Sequence, residues 1–105
     1  MTHPLDKLFA TIAARRGADP KQSYTAQLLA QGVERCAKKL GEEAVETAIA
    51  ASAGKRGEVV TESADLLYHL LVLWAASGVA PDEVWQTLAG RENRSGLEEK
   101  ASRTK

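Results

Sequence analysis

The residues able to do chemistry in this sequence are carboxylates in two short clusters. Glu42, Glu43 and Glu46 come first, and after a spacer of fifteen residues come Glu62 and, three further on, Asp65. On a helix, at about 100° per residue, the first three fall within an arc of roughly 100°. Arg35 and Lys39 lie on the same stripe, two turns and one turn earlier. Glu62, Asp65 and His69 share a second face at i, i+3 and i+7. A lone acidic stripe is usually a solvated surface of i, i+4 ion pairs. The flanking residues argue against that here. From Ala44 to Ala51 the only polar side chains are Glu46 and Thr47, and from Ala64 to Ala76 only Asp65, Tyr68 and His69 interrupt an apolar run. Carboxylates in apolar surroundings cost several kcal/mol each unless partnered, so these acids need cations. Hard divalent cations take such oxygen ligands, and Mg²⁺ adds waters and substrate phosphate oxygens to them. Carboxylate di-iron sites use Glu-x-x-His pairs. Glu43-x-x-Glu46 and Glu62-x-x-Asp65 have no His at that offset, so all-oxygen ligation favours Mg²⁺, or Mn²⁺, over iron.

Helices must position these residues. Gly17–Pro20, Gly32, Gly54–Gly57, Gly78–Pro81 and Gly90–Gly96 punctuate the chain, and the segments between them have helical patterning. Pro4 to Arg16 carries Leu5, Leu8, Phe9, Ile12 and Ala13 at i, i+3, i+4 spacing. Ser23-Tyr24-Thr25 opens a short helix holding Leu28 and Leu29. A long helix from Gln31 or Gly32 to Ala53 bears the first acids, with Gly41 inside it. The tight loop at Gly54–Gly57 predicts an antiparallel return from about Glu58 to Ser77, ended by Gly78. Pro81-Asp82-Glu83 starts a last helix, with Pro at its first position and acids in its first turn. The expectation is an all-α, compact helical bundle built on two long antiparallel helices. So small a bundle leaves an apolar face that is hard to bury alone, which predicts oligomerisation.

Composition sets the outer limits. The 105 residues suit a single domain spanning 1–105, with about 95–105 as a flexible C-terminal tail. Fourteen basic and fourteen acidic residues balance, which argues against a nucleic-acid binder. Cys36 is alone, so no intrachain disulfide forms. A buried thiol in a reducing cytoplasm is the expectation. Met1 to Phe9 carries Asp6 and Lys7 and does not read as a secretory signal. The longest apolar run, Leu70 to Ala76, is far short of the roughly 20 residues that span a bilayer. No membrane association is expected.

The pattern Glu43-x-x-Glu46, spacer, Glu62-x-x-Asp65 resembles the signature of the all-α NTP pyrophosphohydrolase (MazG-like) superfamily. Further blocks are similar to its phosphoribosyl-ATP pyrophosphatase family. They are Ser23-Tyr24-Thr25 with Leu28-Leu29, then Gly32-x-x-Arg35-x-x-x-Lys39-x-Gly41-Glu42-Glu43-Ala44-x-Glu46, and Ala64-Asp65-Leu66-Leu67-Tyr68-His69-Leu70. The most discriminating block is Ser95-Gly96-Leu97-x-Glu99-Lys100-x-x-Arg103. It and Tyr24-Thr25 separate this resemblance from housekeeping pyrophosphohydrolases acting on ordinary triphosphates. The resemblance implies Mg²⁺-dependent hydrolysis of phosphoribosyl-ATP to phosphoribosyl-AMP and pyrophosphate, in histidine biosynthesis, by a cytoplasmic homodimer. Some members are fused to the cyclohydrolase that acts next. This chain has no room for it and is expected to be the stand-alone form.

Within that reading Glu43, Glu46, Glu62 and Asp65 bind metal. A carboxylate beside a dication has a lowered pKa and makes a poor base, so any base lies elsewhere. Glu42 is the candidate catalytic residue, as the group that orients the attacking water. Its alternatives are a further ligand or a surface acid paired with Lys38 or Lys39. Lys39 and Arg35 are candidates for the substrate phosphates, and Lys100 and Arg103 for a tail that closes over them. His69 reads as a hydrogen-bonded core histidine, and Tyr68, Trp74 and Trp85 as core or dimer contacts.

Overall fold

A computed structural model describes residues 3–92, and every described regular element is helical. The first helix, α1, spans Pro4–Ala14. The His3 ring caps it, accepting from the Leu5 N–H at 3.1 Å. It ends two residues before the expected Arg16, where the backbone turns toward Gly17, left-handed at φ +84°, and the Arg16 guanidinium donates to the Ala75 carbonyl in the last turn of another helix. The second, α2, spans Tyr24–Gln31, with the Ser23 hydroxyl accepting from the Ala26 N–H. Gly32, at φ +93°, ends α2 and begins α3, Val33–Ser52. Only glycine adopts that backbone without strain, so the two helices change direction at a single residue.

The return helix α4 spans Arg56–Ser77 and begins two residues earlier than the sequence predicts. Gly57 belongs to its first turn rather than to the loop. A helical glycine costs about 1 kcal/mol against alanine, and the packing of α4 outweighs it. Three residues, 53–55, therefore join the two long helices, whose antiparallel pairing is the most extensive in the fold. Gly78, left-handed at φ +75°, ends α4 as expected. The last helix, α5, runs Pro81–Ala89, and the Glu83 carboxylate accepts from the Ala80 N–H at 2.9 Å.

The core forms where α1, α2, α3 and α4 meet. Ile12, Leu28, Leu29, Cys36, Leu71 and Val72 are buried there, with Leu5, Leu8, Phe9 and Trp74 packed against them. Each such side chain contributes about 1.5–3 kcal/mol by leaving water. The Cys36 thiol donates to the Leu28 carbonyl at 3.3 Å, so it is a small buried hydrophobe with a weak donor. Trp74 and Trp85 meet edge to face, tying α5 to the end of α4.

This core occupies one end of the α3–α4 pair. At the other end Val45 and Ile49 of α3 are 58% and 62% exposed, and Val60 and Leu67 of α4 are 59% and 41% exposed. By length and composition α4 is also apolar enough to cross a membrane, which counting uninterrupted apolar residues did not foresee. Glu62 and Asp65 within it would be costly in hydrocarbon, and α4 packs against α1, α2 and α3.

A carboxylate cluster between the two long helices

The α3–α4 pairing brings the two acidic clusters together. Glu43 from α3 and Glu62 and Asp65 from α4 each offer a carboxylate oxygen, and these atoms lie within 4.8 Å of one another. Glu46, one turn beyond Glu43, adds its charge to both Glu43 and Glu62. Glu43 and Glu62 are half-buried, and each has one oxygen, Oε2, that is buried with no hydrogen-bond partner among the described residues. Unpartnered buried carboxylate oxygens cost free energy and ask for a ligand.

Electrostatics records the same crowding. A proton on Glu43 lets it bond to the Glu46 carboxylate. That bond, desolvation, and the charges of Glu46, Asp65 and Glu62 push Glu43 up to about 7. Burial is the first cause raising Glu62, followed by Glu46 and Asp65. Like charges this close disfavour ionisation. A divalent cation among them removes that penalty, and the donor set, oxygen throughout, fits Mg²⁺ or Mn²⁺.

Glu46 and Asp65 are exposed in the single chain, although their sequence surroundings are apolar. The apolar residues that flank Glu46 are themselves uncovered. Glu42 and Lys39 pair with each other, Lys39 Nζ donating to Glu42 Oε1 at 3.1 Å. That bond lowers Glu42 and raises Lys39, with Lys38 and Arg35 lowering Glu42 further. Arg35 is exposed on α3, within electrostatic reach of Glu42. Lys100 and Arg103 lie outside the described residues.

His69 is buried, as expected of a core histidine, but it makes no hydrogen bond among the described residues. Its Nε2 faces Glu43 Oε1 at 3.8 Å, and its Nδ1 is buried with no partner among them. Burial is the first cause lowering its pKa and Lys39 lowers it further, against the charges of Asp65 and Glu42, which raise it. Tyr24 entered the sequence reading only as part of the Tyr24-Thr25 block, with no site role, yet its half-exposed ring stands edge-on to His69. The signal available was its place directly after the α2 cap. The next residue, Thr25, hydrogen-bonds the Tyr68 hydroxyl and joins α2 to α4 beside the site.

Fold and site together define an all-helical domain with a carboxylate cluster suited to a divalent cation, set between two antiparallel helices. Residues 5–92 match the Phosphoribosyl-ATP pyrophosphohydrolase family. The chain is 66% identical to a phosphoribosyl-ATP pyrophosphatase of Parvibaculum lavamentivorans, covering 94% of this chain and 91% of that protein. It is 58% identical to one from Rhizorhabdus wittichii, over 100% and 99% of the two chains, and 56% identical to one from Azospirillum brasilense, over 94% and 89%. The chain belongs to the phosphoribosyl-ATP pyrophosphohydrolase family, a family of hydrolases.

Proposed function

We propose that this protein hydrolyses phosphoribosyl-ATP to phosphoribosyl-AMP and pyrophosphate, as a cytoplasmic homodimer that uses Mg²⁺ or Mn²⁺, in histidine biosynthesis. The observation that carries the reading is the convergence of Glu43, Glu62 and Asp65, with two buried oxygens unpartnered, in a chain of this family. Glu43, Glu46, Glu62 and Asp65 would hold the cation. When bound, it supplies neutralisation of charge on the phosphate oxygens around the broken anhydride bond.

The remaining steps belong to the chain's own side chains. Glu42 stays ionised because Lys39 holds it, so it can accept a hydrogen bond from water and orient that water toward the α phosphorus. The bond between the α and β phosphates breaks and pyrophosphate leaves. Lys39 and Arg35 stand on the Glu42 side of the cluster and meet the incoming phosphates as cations. Lys100 and Arg103, outside the described residues, are proposed as further cations for the substrate phosphates.

Exposed apolar residues support the homodimer. Val45, Ala48, Ile49 and Ser52 form one stripe of α3 at i, i+3, i+4 and i+7 and line a groove with Ala53. Val60, Ala64 and Leu67 form a matching exposed stripe on α4. Contiguous apolar surface at helical spacing marks an interaction face, and a second copy offers the complementary stripes.

The test is pyrophosphate release from phosphoribosyl-ATP and from a panel of nucleoside triphosphates, with Mg²⁺ and with a chelator. Equal release from ordinary triphosphates, with no preference for phosphoribosyl-ATP, removes the substrate. Undiminished release in chelator removes the cation. Near-normal rates in folded Glu46→Gln and Asp65→Asn overturn the ligand assignment.

A further inference from the structure

His69 has no part in the reading above, yet it is 5% exposed and sits one turn past Asp65 on α4. Two rings fix its plane. Tyr68 packs edge-on at 5.0 Å between centroids and Tyr24 at 6.3 Å. Among the described residues Nε2 meets Glu43 Oε1 at 3.8 Å, whereas Nδ1 is buried with no partner. A neutral imidazole carries one N–H and one bare lone pair. An orphaned buried N–H is rarer and costlier than an orphaned acceptor. The proton therefore belongs on Nε2, the nitrogen that faces Glu43, and the bare lone pair is Nδ1.

We propose that His69 is a positioning residue, its Nε2–H directed at Glu43 Oε1 so that this carboxylate is held in one orientation, with Oε2 left for a divalent cation. The proposal rests on the cation site described above and adds what keeps it assembled. Glu43 is repelled by Glu46, Glu62 and Asp65 together. An unanchored side chain would relieve that repulsion by swinging away. His69 meets Glu43 Oε1 with its Nε2, and a donor there opposes that swing. At 3.8 Å the contact is longer than a hydrogen bond, and contacts of this kind tighten when the site is filled. Ligating carboxylates are commonly hydrogen-bonded from behind, and losing that partner weakens metal affinity about 10–100-fold.

The experiment measures Mn²⁺ binding to the whole chain by electron paramagnetic resonance, counting free ion at equilibrium, for wild type, His69→Gln and His69→Leu. Thermal melts check that each variant folds. Gln places an amide nitrogen near the position of Nε2, whereas Leu fills space without a donor. The expected result is a Kd within about threefold of wild type for Gln and 10–100-fold weaker for Leu. Equal affinity in Leu and wild type overturns the proposal, as does an equal loss in both variants, which would assign the effect to packing. Wild-type protein that takes up no Mn²⁺ instead overturns the cation site itself. Should neither variant fold, ¹⁵N resonances of the wild-type imidazole decide. The Nε2–H tautomer supports the assignment and the Nδ1–H tautomer overturns it.

Discussion

Without a divalent cation, the carboxylate cluster should destabilise the fold it sits in, and Glu43→Gln should reveal this. Glu43 is raised from the ordinary 4.5 to about 7, chiefly by its contact with Glu46. A raised folded-state pKa means that between pH 4.5 and 7 the folded chain holds a proton the unfolded chain has released. Stability is then fully present below pH 4.5 and lost as pH rises toward 7. At full strength the shift corresponds to roughly 3 kcal/mol. Glu46 and Asp65 are exposed, so water and salt screen their share, leaving about 1–2 kcal/mol. Gln removes the charge at nearly constant shape. In chelator at pH 8, thermal melts should place Glu43→Gln above wild type by about 5–15 °C, given 4–8 °C per kcal/mol for a small domain. At pH 4 the two should melt together. With Mg²⁺ at 100 times its Kd, wild type should gain about 2.7 kcal/mol and the variant much less, reversing the order at pH 8. A Glu43→Gln protein no more stable than wild type at pH 8 in chelator, or equally stabilised at both pH values, would refute the reasoning.

Three further expectations follow from other parts of the chain. Ile49→Glu puts a charge in the exposed α3 stripe and should convert the proposed dimer to monomer by light scattering, with little loss of helix by circular dichroism; an unchanged mass would remove that face from the interface. Leu71→Ala opens a cavity at a side chain 1% exposed, and should cost about 2–5 kcal/mol in denaturant unfolding; a cost under 1 kcal/mol would show that α4 is not anchored there. Lys39→Met should raise KM for phosphoribosyl-ATP about tenfold, the size of one charge-assisted contact, with a smaller effect on kcat; an unchanged KM would leave Lys39 as the partner of Glu42 alone.

Local signals in the sequence located most of the helices. The Ser23 cap, Gly78 in the left-handed region and Pro81 at the start of α5 each act through the backbone of a few residues, so their effects appear where the sequence puts them. Gly57 misled for the opposite reason. Read locally it extends a loop, but packing along α3 and α4 settles its conformation. The meeting of Glu43, Glu62 and Asp65 was legible because helical spacing and a tight return leave those side chains few other places to go. The role of His69 was not. Its burial follows from an apolar helix, but whether a nitrogen finds a partner depends on α3 and α2, which the spacing along α4 does not encode.

In the proposed dimer, the exposure of Glu46 and Asp65 and the exposed stripes of Val45, Ile49, Val60 and Leu67 would have a common cause. Val45 borders two grooves, one shared with Lys38, Gly41, Glu42 and Glu46, the other with Ala48, Ile49, Ser52 and Ala53. Whatever covers the apolar groove therefore stands at the edge of the acidic one. In the proposed dimer that cover is a second copy of α3 and α4, and the burial implied by the sequence around Glu46 arises between chains rather than within one. Excluding water there strengthens every Coulombic interaction in the cluster. Repulsion among the four acids grows, and so does their attraction for a dication. Association and cation binding should thus reinforce each other, because the ion relieves the repulsion that closing the interface intensifies.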